Sequence, residues 1–151
     1  MIILDGKKTS NDIKDEITDE VNSIISKGDR PPHLAAVIVG NDGASLTYVG
    51  SKVRACEKVG FDSTLVSLDD SISEKELLDK VYELNNDKKI DGYIVQLPLP
   101  KHIDTQKVLL AVDPKKDVDG FHPVNFGRMA LNLPTFISVS YTHLTLPTRY
   151  R

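Results

Sequence analysis

The sequence predicts an α/β fold, a three-layer sandwich around a mainly parallel sheet, and three observations predict it. Residues 34–39 (Leu-Ala-Ala-Val-Ile-Val) are an unbroken apolar run of strand length and 92–97 (Gly-Tyr-Ile-Val-Gln-Leu) are another buried-type strand, the pattern of strands covered on both faces. Amphipathic helical segments alternate with these runs along the chain. Strand and helix in strict alternation imply parallel strands joined by right-handed crossovers.

Taken in order, residues 9–27 place Ile13, Ile17, Val21, Ile24 and Ile25 at helical spacing before the stop signal Gly28. The strand at 34–39 ends in Gly40-Asn41-Asp42-Gly43, and a helix is expected over 45–59 with Leu46, Val49, Val53 and Cys56 as its apolar stripe. A strand over 63–68 follows. Ser73 with Glu76 three residues on is a capping box opening a helix whose stripe is Leu77, Leu78, Val81 and Leu84. The strand at 92–97 is stopped by Pro98 and Pro100, and a short helix over 105–112 precedes the Asp113-Pro114 break.

The chain has 151 residues, enough for one domain with a real core. A net charge of -3 without a dense Lys/Arg tract argues against nucleic acid or anionic lipid as partner. Cys56 is the single cysteine, so an intrachain disulfide and a cysteine metal cluster are both excluded. The histidines His33, His102, His122 and His143 lack ligand spacing, and no metal is expected. No apolar run reaches membrane-spanning length, and a soluble, cytoplasmic protein is the expectation.

Chemistry concentrates in three places. On a helix, Ser45, Tyr48 and Lys52 fall within roughly 60° of one another, beside the apolar stripe and so at the border of core and cleft. A partly desolvated ammonium gives up its proton more readily than a hydrated one, the condition for a lysine to act in proton transfer. Tyrosine and lysine four apart are nevertheless commonplace on helices. Gln96 stands at the carboxyl end of a buried strand, where open α/β sheets place ligand crevices, with Leu97 and Pro98 next to it. Its amide can donate and accept; a solvent-facing glutamine is the plain alternative. Asp117 and Asp119 precede Gly120 in a tight loop, as binding carboxylates or as ordinary turn residues. The Gly40–Gly43 turn lacks a Gly-x-Gly-x-x-Gly fingerprint, and Cys56 reads as a small core residue.

Together, Tyr48-x-x-x-Lys52, Val95-Gln96-Leu97-Pro98-Leu99-Pro100 and Lys116-Asp117-Val118-Asp119-Gly120-Phe121-His122-Pro123 resemble the catalytic domain of the bifunctional methylenetetrahydrofolate dehydrogenase/cyclohydrolase family. Asn125-x-Gly127-Arg128 and Leu133-Pro134-Thr135 extend the resemblance, which spans residues 3–138. It implies a tetrahydrofolate cleft in which Tyr48 packs on the substrate's rings, Lys52 is the key catalytic residue and Gln96 holds Lys52. Leu97 and Pro98 border the substrate, and Asp119 anchors the pterin. It further implies NADP as cofactor, held mainly by a second Rossmann-type domain, a homodimer in the intact enzyme, and a place in one-carbon metabolism and purine biosynthesis.

The resemblance makes residues 1–138 the catalytic domain. Residues 139–151 depart from the family pattern and read as an artefactual tail on a chain cut before its cofactor domain. The expectation is therefore weak NADP binding and no dehydrogenase activity for this chain. Two other classes compete with this reading. One is a non-catalytic folate-binding or dimerisation fragment. The other is a phospho-receiver-like domain using Asp69 or Asp70, disfavoured because Val39 leads into Gly40-Asn41-Asp42 rather than an acidic cluster.

Overall fold

A computed structural model describes residues 5–138. The elements are α1 (Gly6–Ser26), β1 (His33–Val39), α2 (Gly43–Val59), β2 (Asp62–Leu68), α3 (Glu74–Asn86), β3 (Gly92–Val95), α4 (Thr105–Ala111) and α5 (Pro123–Ala130). The three strands are parallel in the order β2-β1-β3, with Val37 opposite Val66 on one side and Val95 on the other.

Alternation along β1 divides the core between two layers. Ala35, Val37 and Val39 face Leu77, Val81 and Leu84 of α3 and Val108 of α4, with Tyr93 and Val95 from β3. Ala36 and Ile38 face Val49 and Val53 of α2. The three-layer expectation thus holds for the described residues. Each Val, Leu or Ile buried here contributes about 1.5–3 kcal/mol, so the α3/α4 layer, with the larger cluster, carries most of the stabilisation.

Local chemistry sets the helix ends. Asp5 accepts from Lys8 N, and Asp42 accepts from Ser45 N at 2.8 Å. Ser73 and Glu76 form the expected capping box, with Glu76 N donating to Ser73 Oγ at 3.2 Å and Ser73 N to Glu76 Oε2 at 3.0 Å. Gly60 closes α2 in the left-handed region (φ 82°), and a Cβ there would stand 3.3 Å from Val21, the residue of α1 that is buried.

Four expectations need correction. The strand at 92–97 ends at Val95. Gln96 N still donates to Val37 O at 2.8 Å, but Pro98 brings no N–H, and the Leu97–Pro98 peptide is cis. Leu46 is exposed (43%) rather than part of the α2 stripe, because the buried face of α2 runs through Ser45, Val49 and Cys56, with Ser45 the buried residue of the first turn. Ile13 and Ile25 of α1 are likewise exposed, since α2 already covers the sheet and α1 packs on its flank. The helix α5 was not anticipated, although His122 at its N-cap and Pro123 in its first turn are start signals. The expectation for residues 139–151 lies outside the described residues. Among those described, no helix is long and apolar enough to cross a membrane.

The capping box gives a direct test. Ser73→Ala is expected to cost about 1 kcal/mol, and Ser73→Gly only a few tenths, read from urea midpoints. Equal midpoints for parent and Ser73→Ala would show that these bonds do not hold the start of α3.

Candidate active site

The site follows from the strand order. The chain leaves β1 for β2 on one side through α2, then returns past β1 to β3 through α3, whose layer is the opposite one. Between the carboxyl ends of β1 and β3 the connections diverge, and there an open α/β sheet forms its crevice. The first turns of α2 and the residue after β3 both stand at that point.

Lys52, half-buried on α2, directs Nζ to Gln96 Oε1 at 3.5 Å and lies 5.7 Å from the centre of the Tyr48 ring. Gln96 is fixed at its other end, where Nε2 donates to Leu97 O at 2.7 Å. Its carbonyl is thereby left for the ammonium. Tyr48 is 64% exposed, a ring with one face free to stack. Leu97 is half-buried and Pro98 exposed at the same edge. Tyr48 and Lys52 also line a recess of about 450 Å³ with Thr47, Ser51 and Ala55.

Asp119 completes the group. Burial raises its carboxyl above the ordinary carboxylate range, the Lys52 charge pulls it back down, and the Asp117 charge raises it further. Among the described residues no donor reaches the Asp119 carboxylate, so its acceptor sites remain open to a ligand. The structure therefore brings Tyr48, Lys52 and Gln96 into contact and Asp119 within electrostatic reach of Lys52.

It separates Asp117 from them. Asp117 is buried (5% exposed), and its carboxylate accepts from His122 N at 2.8 Å and Asn125 Nδ2 at 2.9 Å. It is a turn residue, as one of the two sequence readings had it. Ser45 is buried as well, inside the α2 cap. His33 contacts Thr64, His102 contacts Ile72 O, and His122 accepts from Val124 N, and among the described residues no group of side chains could hold a metal ion.

A larger recess of about 790 Å³ lies between α1 and α2, lined by Ile13, Ile17, Leu34, Val59 and Phe61 and reached by Lys52. Its lining is mostly apolar; the polar residues Asp5, Thr9, Ser10 and Lys14 also border it, but neither Gln96 nor Asp119 does, and the site is assigned to the crevice beside it. The Gly40–Gly43 loop does not fit a dinucleotide phosphate. The Asp42 carboxylate already occupies the N-terminus of α2, accepting from Ser45 N and repelling a second anion.

The raised Asp119 carboxyl has a consequence for stability. Between its unfolded and folded values the folded chain binds more protons, so stability falls as pH rises through that window. Asp119→Asn, which cannot ionise, should be more stable than the parent at neutral pH, with the gap closing below the ordinary carboxylate range. Urea midpoints at neutral and acid pH measure this, and a less stable Asp119→Asn at neutral pH would contradict the electrostatics described.

Comparison with known proteins agrees with the motif resemblance. The sequence pattern of the family described as tetrahydrofolate dehydrogenase/cyclohydrolase, catalytic domain, matches residues 4–119. Bifunctional protein FolD of Flavobacterium johnsoniae is 66% identical over 100% of this chain and 52% of its own length. The crystal structure of the bifunctional FolD methylenetetrahydrofolate dehydrogenase/cyclohydrolase from Campylobacter jejuni superposes with a TM-score of 0.89 at 42% identity, covering 93% of this chain and 50% of that one. That of the Trypanosoma brucei methylenetetrahydrofolate dehydrogenase-cyclohydrolase, complexed with NADP cofactor and inhibitor, gives 0.82 at 34% identity, covering 85% and 43%. The chain spans about half the length of the relatives it matches. On these grounds the chain belongs to the tetrahydrofolate dehydrogenase/cyclohydrolase catalytic-domain family.

Proposed function

We propose that this chain carries the folate-binding catalytic half of an enzyme that interconverts 5,10-methylene-, 5,10-methenyl- and 10-formyltetrahydrofolate. The observation that supports this best is the placement of the Lys52 ammonium among the Gln96 carbonyl at 3.5 Å, the Tyr48 ring and the half-buried Asp119 carboxylate. A cationic amine, an aromatic platform and an open carboxylate in one crevice suit a flat, amino-substituted heterocycle.

In the cyclohydrolase reaction, water adds to the cationic methenyl carbon and loses a proton. The ring carbon–nitrogen bond then breaks, leaving the formyl group on the other nitrogen. Lys52 moves protons at the attacking water and the departing nitrogen, and Gln96 aims Lys52 through its carbonyl. Tyr48 stacks on the substrate's ring system, Leu97 and Pro98 border it, and Asp119 accepts paired hydrogen bonds from the amino-substituted edge of the pterin. No NADP contact is assigned to the residues described. In this reading the cofactor belongs to the part of the longer relatives that this chain does not span, and no hydride step is assigned to these side chains.

Residues 1–138 are the catalytic domain in this reading, with 139–151 outside it. The setting is cytoplasmic one-carbon metabolism supplying purine synthesis. The assembly is a homodimer: the outer edge of β2, with Leu65 half exposed, has no pairing strand among the described residues and offers main-chain groups to a second copy.

The experiment is calorimetric titration of the 151-residue chain with a tetrahydrofolate analogue. Asp119→Ala should raise the Kd about tenfold or more, the worth of hydrogen bonds to a charged group. An unchanged Kd would remove Asp119 from the site. A well-folded parent without affinity would favour a non-catalytic or dimerisation fragment. In a chain extended to the length of its relatives, Lys52→Met should lower cyclohydrolase kcat by about a hundredfold or more; near-normal turnover would remove Lys52 from the mechanism.

A further inference from the structure

The loop bearing Asp119 is held by polar side chains that make no contact with Lys52, Gln96 or Tyr48. Across its base, the Asp117 carboxylate accepts from Phe121 N at 3.3 Å and His122 N at 2.8 Å, so one side chain spans the turn on which Asp119 stands. Asp117 also accepts from Asn125 Nδ2 at 2.9 Å. Asn125 is itself 4% exposed. The same Nδ2 donates to Pro114 O at 2.8 Å, and Oδ1 accepts from Thr135 Oγ1 at 2.8 Å. Every polar atom of the Asn125 side chain is therefore committed to fixing the loop or the segment beside it.

A second grip closes from the other side. Gly120, next to Asp119, has φ 66°, and a Cβ there would lie 2.9 Å from Phe136 O and from Ser138 N. The loop lies flush on the backbone of residues 136–138, which begin immediately after Thr135. Asn125 is the side chain that joins the two grips, through Asp117 to the turn and through Thr135 to the segment packed on Gly120. A buried carboxylate held by amides and one carboxamide is costly to leave short of a donor. Loss of Asn125 therefore acts on the turn geometry through Asp117.

We propose that Asn125 is a positioning residue, which through Asp117 and Thr135 sets where the Asp119 carboxylate stands relative to Lys52. Its value for catalysis rests on the reading of Asp119 as the pterin anchor. The geometry itself does not. A purely structural Asn125 would stabilise α5 and leave the environment of Asp119 unaltered.

The test is a carbon-13 carboxyl NMR titration of Asp119 in the 151-residue chain, for the parent and for Asn125→Ala, Thr135→Val and Val81→Ala. Val81, a fully buried residue on the core face of α3, controls for general loss of stability. The raised midpoint of Asp119 comes first from burial, opposed by Lys52 and reinforced by Asp117. Asn125→Ala should release the loop toward water and shift the midpoint down toward the ordinary carboxylate value. Thr135→Val, which deletes one bond, should shift it less in the same direction, and Val81→Ala should leave it in place. If Asn125→Ala does not fold, Thr135→Val decides. An unchanged midpoint in the folded variants, or an equal shift in Val81→Ala, overturns the proposal. Folate-analogue calorimetry on Asp119→Ala, run in parallel, judges the anchor reading separately, since the titration of Asp119 needs no ligand.

Discussion

The central strand is the constraint on which the rest depends. β1 is hydrogen-bonded on both edges and buried on both faces, with Ala35 and Val37 fully inaccessible. A strand so enclosed has one register, because a slip of one residue would exchange the α2 layer for the α3/α4 layer. From that register follows the position of Gln96, whose amide donates to Val37 O, and of Lys52, carried by the helix whose Val49 and Val53 lie on Ala36 and Ile38. The Lys52–Gln96 contact is thus a product of core packing. Neither residue stands on a segment free to wander.

Two carboxylates two positions apart meet opposite fates, and the difference is supply of donors. Asp117 is surrounded by main-chain amides and the Asn125 carboxamide, while the neighbouring Lys116 turns away to cap α3, donating to Leu84 O at 2.7 Å and Asp87 O at 2.6 Å. Asp119 receives no such donors among the described residues, and its nearest compensation is the Lys52 charge. One carboxylate is absorbed by the fold. The other is held partly desolvated with its acceptor sites vacant, a state that costs stability and gains by binding a donor-rich ligand.

What was legible in the sequence was local. The apolar runs of β1 and β3, the Ser73/Glu76 box and the Tyr48–Lys52 spacing are encoded within a few residues of one another, and the structure reproduces them. The parts that were not legible depend on distant partners. Nothing near Lys116 signals that it caps a helix thirty residues earlier in the chain, and nothing near Asn125 signals Thr135 or Asp117. The end of β3 was overrun because the next turn signal in the sequence is Pro98, while the strand already ends at Val95. Leu46 misled because the buried position of the first turn of α2 is taken by the polar Ser45, which an apolar periodicity does not register. The family resemblance supplied what spacing could not, the roles assigned to Asp119 and Gln96.

Gly120 limits how this loop can change through sequence drift. A methyl group at Gly6, Gly43 or Gly127 would meet nothing within 4 Å, so alanine is sterically admissible at those positions. At Gly120 the obstruction is backbone on both counts, Phe136 O and Ser138 N, and backbone cannot rotate aside as a side-chain tip can. Compensation would require a coordinated shift of residues 136–138, more than one further substitution can accomplish. The position beside Asp119 is thereby closed to side chains unless that backbone moves, whereas Tyr48 and Pro98 at the same crevice are exposed.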